Sequence, residues 1–461
     1  MKKSNIKLQF SVKKKEELDG LSYEELLKYV KELTDNIVQE KPKKGSDNSS
    51  IPPSVDIAKK KRKNQSLRAK SDKKAGGQKG RAGITLRQVD KPDITIGVGY
   101  GIDRCRECGT SLEETIQTLK ERRQVLDIDL RRTQTQIAEY QSFSKTCPAC
   151  GYENHDDSFP TTVTPNISYG VGTQAVVAYL STSHYIPYDR ITQTLSDLFG
   201  ITLSEGTVDN MIKRTSLASQ EELTKIVDNI KRSKIIGIDE TGCKVDGEGH
   251  WHWAFQDSKN TFIVADKSRA AKVIDEHFEE GFPDACAVHD NYSSYNGLTA
   301  KSEQLCLAHK LRDLNYAIAC DDTRLMKDMK TLLKEAIRDH KKDLTPQQRV
   351  ILKAKYEESF AYLLERPTIE KSETAKQISS FTKARDKIFT FLLHPDIPPD
   401  NNGSERAIRN VKVKLKVSGQ FKTLEGAKDY ATLRSIIDTS RKRGLNEFES
   451  LSAIIRGESV F

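Results

Sequence analysis

Two acidic residues each follow a short apolar run of the kind that forms a buried strand. Ile235 to Ile238 leads into Asp239, and Ala285 to Val288 leads, one residue later, into Asp290. A carboxylate at the end of a buried strand is held rigidly at the rim of a sheet, where it can bind a metal ion. Acids at strand ends are common, however, and the alternative is that Asp239 caps a turn.

The segment between these acids predicts a particular order of elements. Gly249 to Gln256 and Thr261 to Ala265 read as strands, and Ser268 to Phe278 reads as an amphipathic helix. Strand, strand, strand, helix, strand is the order of the RNase H-like fold. In that fold the first and fourth strands are parallel neighbours, so we expect Asp239 and Asp290 to face one site.

A third acid is needed, because a pair of divalent ions roughly 3.5 to 4 Å apart usually requires one. The string DNNGSERAIRN, which begins at Asp400, offers Glu405. Pro398 and Pro399 end the preceding segment, and residues 400–402 are good helix N-caps. We therefore predict that Glu405 lies in the first turn of a helix.

Several motifs together resemble a known family. DETG from Asp239, DNYSSYN from Asp290, CLAHKLRDL from Cys306 and DNNGSERAIR from Asp400 are similar to motifs of the insertion-sequence sixty-six family of transposases, which are of the DDE type. The resemblance extends more weakly over nearly the whole chain. It implies that Asp239, Asp290 and Glu405 are the catalytic, metal-binding triad, and that the residues between the last two form a mainly helical insertion.

The resemblance also implies an activity and its partners. We expect two Mg²⁺ or Mn²⁺ ions, cleavage of double-stranded DNA at the ends of an element, and strand transfer into target DNA. A homo-oligomer and small accessory proteins encoded by the element are further expectations. Two rivals stay open: an inactive zinc-containing DNA-binding regulator, and a nuclease of the same fold that cuts without joining. His289, before the second acid, departs from the small or polar residue expected there.

The net charge of +9 is concentrated in one segment of the 461-residue chain. Residues 59–81 hold eleven basic residues against one acid, Asp72, with interspersed glycines and few apolar residues. Such a segment should be disordered when free and should bind polyanions, unless it is only a solvated linker. The predicted DNA-binding residues are Lys59, Lys60, Lys61, Arg62, Lys63, Lys73 and Lys74, together with Arg406 and Arg409 beside Glu405.

Four of the eight cysteines form two CxxC pairs, Cys105 with Cys108 and Cys147 with Cys150. Paired knuckles of this kind suit a tetrahedral, structural Zn²⁺, and residues 124–140 read as a hairpin that could bring them together. Disulfides and a site that has lost its metal are the alternatives. Cys306 and His309 have a CxxH spacing, for which we predict a structural or supporting role rather than zinc binding.

The remaining segments predict helices. A capping box from Ser22 to Glu25 starts one, whose heptad positions, Leu26, Val30, Leu33 and Ile37, suit either a packed surface helix or a dimerising one. Residues 188–214 read as two helices around Gly200, either a helix-turn-helix that presents Asn210, Lys213 and Arg214 to DNA or a plain packed pair. Trp251 and Trp253 read as core residues of a half-buried strand.

The sequence thus predicts a multi-domain α/β protein. Its segments are an N-terminal helix (1–45), a basic linker (46–90), a zinc-binding module (91–160), a helical region (161–230), an RNase H-like domain (231–425) with a helical insertion at about 315–395, and C-terminal helices (426–461). No apolar run approaches a membrane span and no signal peptide is evident, so we expect a cytoplasmic protein associated with the nucleoid.

Overall fold

The computed structural model describes the chain continuously over residues 169–461. Before that stretch it describes residues 21–22, 24–29, 44, 90–91, 108, 110–111, 144–146 and 153–155. Apart from residues 198–200, the continuous stretch belongs to one compact unit. Several predictions fall outside the described residues: the hairpin at 124–140, the heptad positions after Leu26, Lys59, Lys60, Lys61, Arg62, Lys63, Lys73, Lys74, Cys105, Cys147 and Cys150.

The described N-terminal pieces confirm one prediction. Residues 24–29 are helical, the Ser22 backbone N–H donates to Glu25 Oε2 at 2.9 Å, and the Glu25 N–H donates to Ser22 Oγ at 3.4 Å. These reciprocal bonds are the predicted capping box. Farther along, strands β1 (Ser144–Thr146) and β2 (Glu153–His155) pair antiparallel on either side of the segment that contains the second CxxC motif.

Five strands form one mixed sheet in the order β5-β4-β3-β6-β7. Their bounds are β3 (Ile235–Val245), β4 (Glu248–Gln256), β5 (Thr261–Asp266), β6 (Phe282–His289) and β7 (Ala300–Leu305). Strand β4 pairs antiparallel with both β3 and β5, whereas β6 pairs parallel with both β3 and β7. The prediction that the first and fourth of these strands are parallel neighbours is confirmed.

Strand β3 does not end at Asp239, and that part of the prediction was wrong. The strand continues to Val245 because its antiparallel partner β4 pairs with it from Gly237 to Val245. The parallel partner stops earlier, since the last β3 residue that pairs with β6 is Gly237. Asp239 therefore lies inside a strand, just beyond the point where β3 and β6 part.

Helices surround this sheet. Their bounds are α1 (Val171–Thr182), α2 (Tyr188–Phe199), α3 (Glu205–Ala218), α4 (Gln220–Lys231), α5 (Lys272–His277), α6 (Leu307–Asp321), α7 (Arg324–Asp339), α8 (Pro346–Leu364), α9 (Glu373–Lys383), α10 (Asn402–Ser418), α11 (Leu424–Lys442) and α12 (Glu447–Ile455). The predicted insertion is thus helical, although its first helix, α6, already starts at Leu307. Within the part of the chain that the structure describes, none of the helices has the length and apolar character that crossing a bilayer requires.

The helix predicted from Ser268 is shorter than expected. It begins only at Lys272 because the preceding residues make other bonds: Ser268 O accepts from Trp253 Nε1 at 3.1 Å, and the Ala270 N–H donates to Ser268 Oγ at 3.0 Å. These contacts hold residues 268–270 in a non-helical loop against β4.

Both faces of the sheet are buried. Helices α10 and α11 pack on one face, where Ala254, Ile263, Val411 and Phe421 belong to one apolar cluster. Trp253 is fully buried, as predicted, whereas Trp251 is only partly buried, so its assignment to the core was wrong. His252 is also fully buried, so β4 is not the half-buried strand that the alternation suggested. The helices of the insertion build a second cluster with the apolar residues of β6 and β7.

Helices α2 and α3 are compatible with both predictions, a helix-turn-helix that contacts DNA and a plain packed pair. Ser204 caps α3 as expected, its Oγ accepting from the Thr207 N–H at 3.1 Å, and α3 packs against α1, α11 and α12. Asn210, Lys213 and Arg214 lie exposed on α3. Helix α3 therefore packs on the rest of the compact unit, and DNA contact by this exposed row stays a prediction.

Candidate active site

Asp239 lies on β3 at the edge left by the end of β6. One of its carboxylate oxygens, Oδ1, accepts from the Glu240 N–H at 3.0 Å. Burial and then the charges of Asp290 and Glu240 raise the pKa of Asp239 well above its usual range, and Glu405 adds to this effect. The electrostatic influence of Asp290 and Glu405 on this carboxyl shows that the three predicted acids lie in one neighbourhood.

Asp290 follows directly on β6 and begins a tight turn. Its Oδ1 accepts from the Tyr292 N–H at 3.0 Å, and Asn291 has a left-handed backbone with φ of 70°. Asparagine adopts this conformation more readily than most residues. The turn therefore aims the chain away from the sheet immediately after the acid.

His289, the residue that departed from expectation, is buried and fully bonded. Its Nε2–H donates to Glu303 Oε2 at 2.9 Å, and its Nδ1 accepts from the Asn291 N–H at 3.1 Å. One neutral tautomer satisfies both bonds. The histidine therefore supports the turn after Asp290 rather than distorting it.

Glu405 lies in the first turn of α10, as predicted, but the cap differs from the expectation. Asn401 is the N-cap residue, yet its side chain makes no cap bond. Its Nδ2 instead donates to Ile238 O at 2.7 Å, and its Oδ1 accepts from Ser404 Oγ at 2.7 Å. Asn401 thus ties the start of α10 to the residue that precedes Asp239.

Two glycines allow this close contact between α10 and the sheet. A Cβ on Gly237 would lie 2.4 Å from Ser404 Oγ, and a Cβ on Gly403 would lie 2.2 Å from Gln256 Nε2. Only a residue without a side chain fits at either place unless its neighbours move. The glycines in IIGIDETG and DNNGSER therefore serve the same interface.

Helix α6 supplies the partners of Glu405. His309 Nε2 lies 3.2 Å from Glu405 Oε1, and Arg312 Nη2 lies 4.0 Å from the same oxygen. The hydrogen bond from His309, followed by the charges of His309, Arg312 and Arg409, lowers the pKa of Glu405 against the opposing effect of burial. These contacts favour the ionised form of Glu405, and a supporting role for His309 stays a prediction.

Cys306 completes a small group with these residues. One ligand atom from each of Cys306, His309 and Glu405 falls within 4.8 Å of the others, a spacing that could hold a metal ion. However, Cys306 Sγ accepts from the Asn401 N–H at 3.2 Å, and burial raises the pKa of its thiol to about 11. A metal ion bound here would therefore have to displace the thiol proton, and the contact that the structure shows for Cys306 is the one with Asn401.

A second group of residues, which the sequence did not predict, lies beside Asp239. The Glu240 side chain is buried and accepts from Arg269 Nε at 3.0 Å and Nη2 at 2.7 Å. It also accepts a hydrogen bond from the Tyr295 hydroxyl. In the sequence, the acidic residue directly after Asp239 is the one sign of this group, because Arg269 and Tyr295 are distant from it along the chain.

The three carboxylates fit divalent metal ions. Carboxylate oxygens are the ligands that Mg²⁺ and Mn²⁺ prefer. Burial and then repulsion from Asp290 raise the pKa of Asp239, and a cation bound between the acids would relieve that repulsion. Asp239, Asp290 and Glu405 would hold such ions, as the resemblance implied.

The other predicted contacts near the site are exposed. Arg406 and Arg409 lie in α10 next to Glu405 with their side chains in solvent. Lys412, Lys414 and Lys416 also lie in α10. In a helix, residues two apart point in different directions, so Lys414 does not share the face of Lys412 and Lys416, which are four residues apart.

Taken together, the described residues form an α/β protein with a carboxylate site at the junction of two parallel strands and a helix. The sequence profile of the family described as Transposase IS66 family matches residues 166–429, which is more than half of the chain. The chain belongs to this family, which supports a transposase function in general, with DNA as substrate and a divalent metal as cofactor. No matching relative is found among curated proteins.

Proposed function

We propose that this protein is a DDE transposase that cleaves DNA at the ends of an insertion sequence and joins the freed ends to target DNA. The observation that supports the proposal is the closeness of Asp239, Asp290 and Glu405. Strands β3 and β6 pair in parallel just before the two aspartates, and the start of α10 is bonded to Ile238. The strand order and the helical insertion favour an RNase H-like catalytic core.

The residues of the site have separate roles in this proposal. Asp239, Asp290 and Glu405 hold two Mg²⁺ or Mn²⁺ ions, which when bound would lower the pKa of a nucleophilic oxygen and stabilise the leaving oxygen. His309 orients Glu405 and lowers the pKa of its carboxyl through their hydrogen bond. Arg406 and Arg409, exposed on the same helix, bind phosphates of the DNA.

The N-terminal part of the chain supplies binding rather than chemistry. Lys59, Lys60, Lys61, Arg62, Lys63, Lys73 and Lys74 give affinity for DNA through counterion release. Cys105, Cys108, Cys147 and Cys150 hold a structural Zn²⁺. The protein acts on double-stranded element ends and target as a homo-oligomer, aided by small accessory proteins.

A strand-transfer assay tests the proposal. Wild type, Asp239→Asn and Asp284→Asn are incubated with labelled element ends, a supercoiled target, and Mg²⁺ or Mn²⁺. Asp284 is a matched control, since it lies exposed on β6 and pairs with Lys234 at 3.5 Å, away from the site. We expect joined products from wild type and Asp284→Asn, and none from Asp239→Asn.

Each other outcome contradicts part of the proposal. Cleavage without joining by the wild type would make the protein a nuclease. DNA binding with neither cleavage nor joining, under both metals, would make it a regulator with an inactive core. Full activity of Asp239→Asn would remove the triad from the mechanism.

A further inference from the structure

We infer that Glu240 and Arg269 are positioning residues that fix Asp290 relative to Asp239, an inference that rests on the function proposed above. The two acids come from different strands, and the sheet alone does not set their separation. The last residue pair between β3 and β6 is Gly237 with Val288, and β6 ends at His289. Beyond this point, side chains must hold the segment that carries Asp290.

Glu240 gives this segment an attachment point on β3. Its side chain is 1% exposed and receives a two-pronged bond from Arg269, which lies in the loop after β5. Burying an ion pair generally adds little to stability compared with apolar residues of the same size. Stability of the sheet therefore does not explain why the ion pair of Glu240 and Arg269 is placed beside Asp239.

The turn after Asp290 contacts this pair at three places. The guanidinium carbon of Arg269 lies 3.4 Å from the centre of the Tyr292 ring. Ser294 Oγ donates to the backbone oxygen of Arg269, and the Tyr295 hydroxyl donates to Glu240. Three successive contacts from residues 292–295 thus end on Glu240 or Arg269.

The sheet holds the opposite side of the pair. Arg269 also lies over the Trp251 ring, 4.4 Å from its centre, so its guanidinium is held between two aromatic rings. Trp253, the cross-strand neighbour of Glu240, packs edge-on against Tyr295 with ring centres 6.2 Å apart. The pair therefore connects β3 and β4 to the turn that begins at Asp290.

This arrangement predicts what loss of the arginine does. Arg269→Gln removes the two-pronged bond and the stacked cation, and leaves the Glu240 carboxylate buried without its counterion next to Asp239. The turn should loosen and the acids should separate. Replacing both residues, Glu240→Gln with Arg269→Gln, removes both charges and restores a neutral pair, so part of the loss should be recovered.

Two measurements on the full chain test the inference without relying on activity. The first is hydrogen exchange of residues 290–296 in metal-free protein. The second is Mn²⁺ binding, which is measured by electron paramagnetic resonance. The ions that the wild type binds and Asp239→Asn does not bind are those held at the acids. Lys267→Gln is the matched control, since Lys267 is exposed, lies two residues from Arg269, and pairs with Glu248 at 3.1 Å.

We expect Arg269→Gln to speed exchange of residues 290–296 and to raise the half-saturating Mn²⁺ concentration about tenfold, in the range seen for residues that orient metal ligands. Lys267→Gln should change neither quantity, and the double variant should fall between. Should Arg269→Gln fold poorly, Glu240→Gln, which has the same shape as glutamate, should show the same two effects.

Unchanged exchange and unchanged Mn²⁺ affinity in Arg269→Gln would overturn the inference. A wild-type protein whose Mn²⁺ binding is identical to that of Asp239→Asn would overturn the proposed metal site instead. In that case the exchange of residues 290–296 still decides whether the pair holds the turn.

Discussion

Asn401 donates from its side-chain amide to Ile238 O at 2.7 Å, so the helix that carries Glu405 starts against the residue before Asp239. The two acids are 166 positions apart in the sequence, counted from 239 to 405. The bond from the buried Asn401 to the carbonyl of β3 is therefore part of the interface that brings Asp239 and Glu405 together. Gly237 and Gly403 make the same interface close enough for this bond.

The close contact at Gly237 predicts a stability effect. Gly237→Ala places a Cβ 2.4 Å from Ser404 Oγ and 3.2 Å from Asn401 Oδ1, so α10 must move away from β3. We expect a loss of about 1 to 3 kcal/mol in the free energy of unfolding, as for other overpacked sites. Denaturant unfolding measures it, with Gly249→Ala as the control because nothing lies within 4 Å of its added Cβ. Equal stabilities for the two variants would contradict the close contact.

The bond from His309 to Glu405 predicts a catalytic effect. His309→Ala should lower the rate of DNA cleavage about 10- to 100-fold, because Glu405 loses the hydrogen bond that orients its carboxylate. His394→Ala is a suitable control, since this histidine is exposed on the insertion. The rates are compared over a range of Mg²⁺ concentrations. A wild-type rate for His309→Ala at every concentration would exclude a supporting role.

The buried His252 predicts a loss of stability in acid. Burial lowers its pKa from 6.5 to about 4 against a smaller opposing effect of the Ala427 backbone, and neither ring nitrogen makes a hydrogen bond of normal geometry. A histidine with a lowered folded pKa binds its proton more readily in the unfolded chain. Its stabilising effect is therefore complete above pH 6.5 and is lost as the pH falls from 6.5 towards 4, by up to about 3 kcal/mol.

The comparison with His252→Phe isolates this effect. Phenylalanine fits among the neighbouring rings of Phe421 and Tyr430 and does not titrate. Unfolding free energies of both proteins are measured between pH 7 and pH 4.5, and the difference between them should change with pH. Parallel curves would show that His252 does not contribute.

The four paired cysteines predict a bound metal. Purified protein should contain about one zinc per chain, and replacement of Cys105 and Cys147 by serine should remove it, because a structural site needs all four ligands. Elemental analysis measures the content, with Cys320→Ser as the control. Folded protein that contains no zinc would reject the site.

The basic segment predicts a salt effect on DNA binding. Replacing residues 59–81 by a glycine-serine linker of equal length should flatten the dependence of affinity on salt, because fewer counterions are released from the DNA. The affinity of each protein is measured at several salt concentrations. An unchanged slope would mean that these basic residues do not contact phosphate.

Much of the catalytic part was readable from local patterns. The apolar runs before Asp239 and Asp290 predicted two strands, the patterns of residues 249–256 and 261–265 predicted β4 and β5, and the DNN string predicted the helix that begins beside Glu405. These signals depend on residues close together in the chain, so periodicity and capping chemistry are enough to find them. The order of the elements, which is that of the RNase H-like fold, added the parallel pairing of β3 with β6.

The tertiary structure alone decided the surroundings of the acids. Strand β3 runs on past Asp239 because β4 pairs with it, and no local signal shows where a partner strand stops. Arg269 meets Glu240, His309 meets Glu405, and Asn401 turns from its cap position to Ile238 because packing brings distant segments together. The sequence by itself determined which residues could do chemistry; the folded chain determined which residues hold them in place, because those contacts form only when the sheet and helices assemble.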